Sequence, residues 1–207
     1  MFDSPPRIDT DILDWVLENR TEPLTTLAHI ITVGGNTLPL LGFGVVVTIA
    51  LFATKHVREA VFFAVGSLLG LAAMAGLKEL FARERPLPDH RLLEIESYSF
   101  PSGHAMMSTI VYGLVAIACH RAFTWVQHHR LIVLIAPLLA IAIGLTRIYL
   151  GVHWFTDVAT GWFAGVLWVL ACWGVLRATE PKTTEPRTTD PNTTDPNTTG
   201  RKTTTGE

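Results

Sequence analysis

Residues 60–86 read AVFFAVGSLLGLAAMAGLKELFARERP. The stretch from Ala60 to Leu77 carries no charge, and a cluster of charges then begins at Lys78. A helix rises about 1.5 Å per residue, so about 20 apolar residues cross the roughly 30 Å hydrocarbon core of a bilayer. The run Ala60–Phe81 therefore reads as a transmembrane helix with charge at one end. Four further apolar runs accompany it: Thr37–Thr54, Ala105–Cys119, Leu131–Thr146 and Trp154–Leu176. Leu24–Val33, before the Gly34-Gly35 break, extends the first run or forms part of another span. The predicted fold is all-α, a polytopic transmembrane helical bundle of about five to six spans. Composition agrees: the 207 residues are only 16% charged, against about 25% in soluble domains. Mean hydropathy is +0.35. The formal charge of −2 and the lack of a basic block exclude a nucleic-acid partner. Cys119 and Cys172 lie inside apolar runs and read as packing residues.

The chain divides into residues 1–35, an N-terminal amphipathic segment, 36–177, the transmembrane domain, and 178–207, a polar tail. In the first, Ile8, Ile12, Leu13, Val16 and Leu17 recur at helical spacing, with Asp9, Asp11, Asp14 and Glu18 opposite. Such a helix lies on the membrane surface or packs on the protein's own loops. It lacks the apolar core of a signal peptide. The tail repeats TTEPR, TTDPN, TTDPN with almost nothing apolar to bury, and is expected to be disordered. Its Asn192 and Asn197 match the glycosylation pattern but fall on the side expected to be cytoplasmic. That side is assigned from Lys55, Arg58, Arg121, Arg130, Arg177 and Lys182 by the positive-inside rule. Arg83, Arg85, Arg91 and Arg147 on the opposite side weaken the asymmetry.

Charges beside apolar spans need a reason. Lys78 and Arg85 are seven residues apart, so a continued helix puts them on one face. Phe100-Pro101-Ser102-Gly103-His104 precedes the third run, where the free N–H groups of Ser102, Gly103 and His104 would cradle an anion. Arg147 closes the fourth run, and His153 and Asp157 open the fifth, four apart. Singly, each cation reads equally well as an interface anchor, and each histidine as a cap or an interfacial residue. Topology brings all three clusters to one membrane surface. Three cations suit a phosphate, a histidine held by a carboxylate suits a nucleophile or base, and a second histidine suits an acid.

These motifs together resemble the type 2 phosphatidic acid phosphatase superfamily, which includes lipid phosphate phosphatases and vanadium haloperoxidases. Its first signature appears as Lys78-ELFARE-Arg85-Pro86, its second as Pro101-Ser102-Gly103-His104, and its third as Thr146-Arg147-IYLGV-His153-WFT-Asp157. Thr146 stands where the family usually has Ser. The resemblance implies that His153 attacks phosphorus to form a phosphohistidine and that Asp157 fixes its tautomer. It implies that His104 protonates the leaving oxygen and then activates water. Lys78, Arg85, Ser102, Gly103 and Arg147 would bind the phosphoryl oxygens. No cofactor or metal site is implied, so the enzyme is expected to be a metal-independent hydrolase, inhibited by vanadate.

A site at a membrane surface implies a membrane lipid phosphate as substrate and the bilayer as surroundings. Undecaprenyl diphosphate or a similar polyprenyl diphosphate is the leading expectation for a plasma-membrane protein with an extracytoplasmic site. Phosphatidic acid and phosphatidylglycerophosphate are the alternatives. The Pro86–Phe100 loop either dips into the interface or is an ordinary solvated loop. A non-catalytic lipid-binding or scaffolding protein is the alternative of another class, and intact His104, His153 and Asp157 argue against it.

Overall fold

The computed structural model describes residues 4–180. Its helices are α1 (Arg7–Glu18), α2 (Glu22–Thr32), α3 (Thr37–Ala53), α4 (Val57–Phe81), α5 (Gly103–Ala122), the short α6 (Thr124–His128), α7 (Ile135–Tyr149) and α8 (Phe155–Ala178). Among the described residues there is no strand. Four helical stretches are long and apolar enough to cross a membrane: Val57–Phe81, Gly103–Ala122, Arg130–Tyr149 and Phe155–Ala178. Glu22–Gly35 and Thr37–Ala53 form a fifth candidate, bent by 48°. Leu24–Val33 is thus one arm of that bent pair, and a sixth candidate span is not found among the described residues. The sequence-derived boundary at residue 35 falls at this bend. Of the polar tail, Ala178 still belongs to α8, and residues 181–207 lie outside the described residues.

Helix α5 runs through the centre, against α4, α7 and α8. Its Met106, Ile110, Leu114 and Ala118 are buried with Ala60 and Phe63 of α4 and Leu40 and Leu51 of α3. Lipid tails are as apolar as leucine, so these helices associate through close packing rather than through escape from water. Glycines permit that packing. A Cβ on Gly161 of α8 would come 2.9 Å from the Ser102 carbonyl, and one on Gly165 would come 2.7 Å from Thr109 Cβ. On α4, a Cβ on Gly66 or Gly70 would come 2.9 Å from Leu114 or Ile110. Both pairs have the small-xxx-small spacing of close helix contacts. The outer faces carry exposed Leu68, Leu69, Leu138, Phe163 and Leu167, as a lipid-facing surface requires.

Helix α1 packs on the protein itself. Val16 is buried with Ile148 and Val158, and Ile12 lies against the same cluster. Asp9, grouped by spacing with the polar face, is only 1% exposed. Its place on the buried face follows from an ion pair with Arg83, 2.7 Å away. The loop after α4 also folds inward: Leu93 and Ile95 pack on Ala28, Leu150 and Val152, while Leu87, Leu92 and Tyr98 remain exposed.

The helix expected to continue from Lys78 to Arg85 stops at Phe81. Ala82 takes a left-handed conformation at φ 43°, and its N–H bonds the Lys78 carbonyl. That turn sends Arg83 inward and releases Arg85 into the loop. The start of α3, the end of α4, the start of α5, the end of α7 and the start of α8 therefore meet at one end of the bundle.

Candidate active site

A cavity of about 1140 Å³ opens at that end. Lys78, Arg85, Gly103, His104, Arg147 and His153 line its polar head. From there it runs between α3 and α4, along Leu40, Leu41 and Val45 on one side and Met74, Leu71 and Phe63 on the other. Lys78 and Phe63 are fifteen residues apart, so the apolar part extends roughly 22 Å down α4.

His153 precedes the first turn of α8 and is 3% exposed. Its Nε2 lies 3.0 Å from an Arg85 guanidinium nitrogen. Its Nδ1 lies 3.4 Å from both Ser99 Oγ and Asp157 Oδ2. The pairing expected along one helix face is made instead from a loop residue to the first turn of α8. The hydrogen bonds assign the tautomer. The Arg85 N–H donates to Nε2, so the proton sits on Nδ1 and points towards Asp157. Burial, then the cations Arg85, Arg147 and Lys78, hold the His153 pKa well below the usual imidazole range. His153 is therefore neutral near pH 7, with a lone pair on Nε2 facing the cavity.

Asp157 is fully buried and filled with donors. Oδ1 accepts from Arg83 at 2.5 Å, and Oδ2 accepts from Ser99 Oγ at 2.5 Å and from the Trp154 N–H at 3.0 Å. The last bond also caps α8.

Arg85 bonds the Ser97, Val152 and Tyr98 carbonyls as well as His153, and so ties the loop to the site. Burial lowers its pKa to about 10, which leaves it cationic. Lys78 Nζ donates to the Tyr98 carbonyl. Arg147 is 1% exposed. One of its nitrogens bonds Thr32 at 2.8 Å, while its buried Nε has no protein partner. An unpaired buried guanidinium nitrogen beside a cavity is suited to an anion.

The Pro-Ser-Gly-His segment behaves in part as expected. Gly103 opens α5 on the cavity, with the free amides of a helix N-terminus. Ser102 does not reach the cavity. Its N–H bonds the Asp157 carbonyl at 3.0 Å, and its hydroxyl caps α5 by accepting from Ala105. The hydroxyl expected to bind phosphate thus serves here as a helix cap. The hydroxyl of Thr146 likewise turns back to its own helix, 2.6 Å from the Ile143 carbonyl.

His104 Nε2 lies 2.9 Å from Asn36 Oδ1. Asn36 sits just before α3, where asparagine often caps a helix; here its side chain takes the histidine instead. The contact needs the glycine beside it, since a Cβ on Gly35 would come 2.7 Å from His104 Cδ2. Sequence reasoning missed Asn36, Ser99, Arg83 and Asp9. The one signal for any of them was Arg83, two residues before Arg85 in the first cluster. No group of three His, Cys, Asp or Glu side chains suited to a metal ion occurs among the described residues.

A helical membrane bundle with a cationic, histidine-bearing pocket at one end defines the class. A family model described as the PAP2 superfamily matches residues 59–180, and the chain belongs to that superfamily. Over 93 residues it is 40% identical to phosphatidylglycerophosphatase B of Bacillus subtilis (strain 168), a match covering 44% of this chain and 45% of that protein. Its fold superposes with a TM-score of 0.80 and 27% identity on a transmembrane PAP2-type phosphatidylglycerolphosphate phosphatase from Bacillus subtilis, covering 84% of this chain and 87% of that one. LpxE of Aquifex aeolicus shares the fold at a TM-score of 0.68 and 22% identity, over 84% of this chain and 99% of its own. The chain is a multi-pass membrane protein.

Proposed function

We propose that this protein is a membrane phosphatase that hydrolyses a lipid phosphate monoester of the phosphatidylglycerophosphate type through a phosphohistidine. One observation carries the reading: the cavity joins a cationic head holding two histidines to an apolar groove long enough for a lipid chain. The substrate would keep its tails between α3 and α4 and its phosphate beneath Lys78, Arg85 and Arg147. The relative named for phosphatidylglycerophosphate shifts the weight to this lipid from the polyprenyl diphosphate favoured by sequence.

Phosphoryl transfer depends mainly on positioning and charge neutralisation. Arg85 exchanges its bond to His153 Nε2 for the phosphoryl oxygens, joined by Lys78, Arg147 and the Gly103 amide. The freed Nε2 lone pair attacks phosphorus in line, and the P–O bond to the lipid breaks. His104, oriented by Asn36, gives that oxygen its proton. His104 then takes a proton from water, whose oxygen attacks the phosphohistidine and releases inorganic phosphate. Asp157 holds the Nδ1 proton throughout, and Ser102 holds the start of α5. The basic residues gathered at the opposite end of the bundle support an extracytoplasmic site in the plasma membrane.

The test is phosphate release by detergent-purified protein with EDTA present. Phosphatidylglycerophosphate, phosphatidic acid, undecaprenyl diphosphate and a short-chain water-soluble phosphate ester are offered in parallel. Phosphatidylglycerophosphate should be the best substrate and the short ester the poorest, with vanadate inhibiting and His153→Ala abolishing turnover. Faster release from undecaprenyl diphosphate would restore the polyprenyl reading. Activity lost in EDTA and restored by a divalent ion would overturn metal independence. No release by folded protein would favour a non-catalytic role.

A further inference from the structure

We infer that Asp9, on the N-terminal helix, is a positioning residue of the active site, which holds and balances the Arg83 guanidinium that orients Asp157. The inference rests on His153 acting as the nucleophile.

Arg83 lies between two carboxylates, 2.7 Å from Asp9 Oδ2 and 2.5 Å from Asp157 Oδ1. Its side chain is 4% exposed, and both aspartates are fully buried. Thr156 locks the arrangement. Its N–H donates to Asp9 Oδ1 at 2.8 Å, its hydroxyl bonds Asp9 Oδ2 at 2.6 Å, and Arg83 bonds the same hydroxyl at 2.8 Å. Asp9 does not line the cavity, so it acts only through Arg83 and Thr156.

A buried carboxylate–guanidinium–carboxylate triad is costly to assemble, and apolar packing often serves stability as well. Here the charge count has a use. When His153 Nε2 bonds to phosphorus with Nδ1 protonated, the ring carries a positive charge. Arg83 alone would offset the charge of Asp157 and weaken its hold on that ring. Asp9 restores a net charge of minus one to the triad. His153 otherwise faces the cations Arg85, Lys78 and Arg147, with His104 across the cavity and the Ser99 hydroxyl beside Asp157. The competing explanation is a clamp that only fastens α1 to the bundle.

The experiment uses the full chain in detergent with phosphatidylglycerophosphate. Asp9→Asn, Asp9→Glu, Arg83→Gln and the double variant D9N/R83Q are compared with wild type, His153→Ala and the exposed α1 control Asp11→Asn. Each protein's melting temperature and pH profile are measured. Asp9→Asn is expected to lower kcat about 10- to 100-fold with KM little changed, the size of one lost charge-assisted contact. Removing a negative charge disfavours the protonated imidazole, so the acid limb of kcat/KM moves to lower pH. Asp9→Glu should recover most of kcat, and Asp11→Asn should match wild type. Arg83→Gln leaves two facing carboxylates and moves the acid limb upward; adding Asp9→Asn brings it back. This last comparison decides the matter even if Asp9→Asn alone fails to fold. Wild-type kcat and an unmoved acid limb in folded Asp9→Asn, or coincident profiles for the single and double Arg83 variants, would overturn the inference alone. No turnover by wild type, or full turnover by His153→Ala, removes the phosphatase reading and this inference with it.

Discussion

His153 is the residue at which the site's opposing demands meet. As the proposed nucleophile it must be neutral to attack, yet hold a positive charge once bonded to phosphorus. The cations around it serve the first demand, and Asp157 serves the second. Arg85 touches both the histidine and the cavity, so changing it separates binding from titration. Arg85→Gln should lower kcat/KM by about 10²- to 10³-fold, as for loss of one preorganised donor. The variant also removes a cation that depresses the His153 pKa. The protonated imidazole becomes easier to form, and the acid limb of kcat/KM should move upward towards the ordinary histidine value. A pH–rate series on wild type and variant checks both effects, and a limb that stayed in place would argue against His153 as the titrating group. At this scale the sequence was legible where residues recur at set intervals. Lys78, Arg85, His104, Arg147, His153 and Asp157 announce themselves because charge beside an apolar span is costly. Asn36 and Ser99 could not be found that way, since single neutral residues carry no such penalty. Asp9 was misassigned because helical periodicity sorts acids to the solvent face, and only the tertiary partner Arg83 makes its burial tolerable.

Helices α5 and α8 carry the two histidine motifs, and the distance between them sets the distance between the proposed acid and nucleophile. Gly161 lies against the start of α5, directly beside the Ser102 carbonyl. Gly161→Val would place two methyl groups where one Cβ already meets that carbonyl at 2.9 Å. The backbone cannot yield as a flexible side chain would, so α8 must move away from α5. The expected result is a lower melting temperature in detergent and loss of most turnover for every lipid substrate alike. Gly42→Val on α3, where a Cβ meets nothing within 4 Å, should change neither. Equal behaviour of the two variants would show that the α5–α8 contact does not set the site. Element positions were readable from hydropathy because a span must bury its own backbone hydrogen bonds and needs a minimum length. The end of α4 was not readable. A left-handed alanine at position 82 has no marker of the kind glycine supplies, so the continued helix was the natural expectation. Lys78 and Arg85 still converge, through the loop that folds back over the site.

Among the described residues, basic side chains lie at both ends of the bundle, those at the cavity end (Lys78, Arg83, Arg85, Arg91 and Arg147) being engaged in the site or its loop. Lys55, Arg58, Arg121, Arg130 and Arg177 belong to the end away from the histidines. Part of that charge also serves structure: Arg58 bonds the Leu176 carbonyl at 2.6 Å, and Arg121 pairs with Glu180 at 2.7 Å. The positive-inside rule counts such residues whatever they touch, because orientation is set during insertion, before the helices pack. Cysteine labelling tests the resulting orientation. In a background lacking Cys119 and Cys172, Glu96→Cys marks the site end and His129→Cys the opposite end, both on exposed residues. A membrane-impermeant maleimide should label Glu96→Cys in intact cells, and His129→Cys only after permeabilisation. The reverse pattern would put the site on the cytoplasmic face. The groove between α3 and α4 would then draw its lipid from the inner leaflet, where lipids are made, rather than from the outer one. The same proposed catalytic residues would serve in either case, so chemistry alone does not choose the leaflet. The charge at the far end of the bundle favours the outer one, and the labelling decides between them.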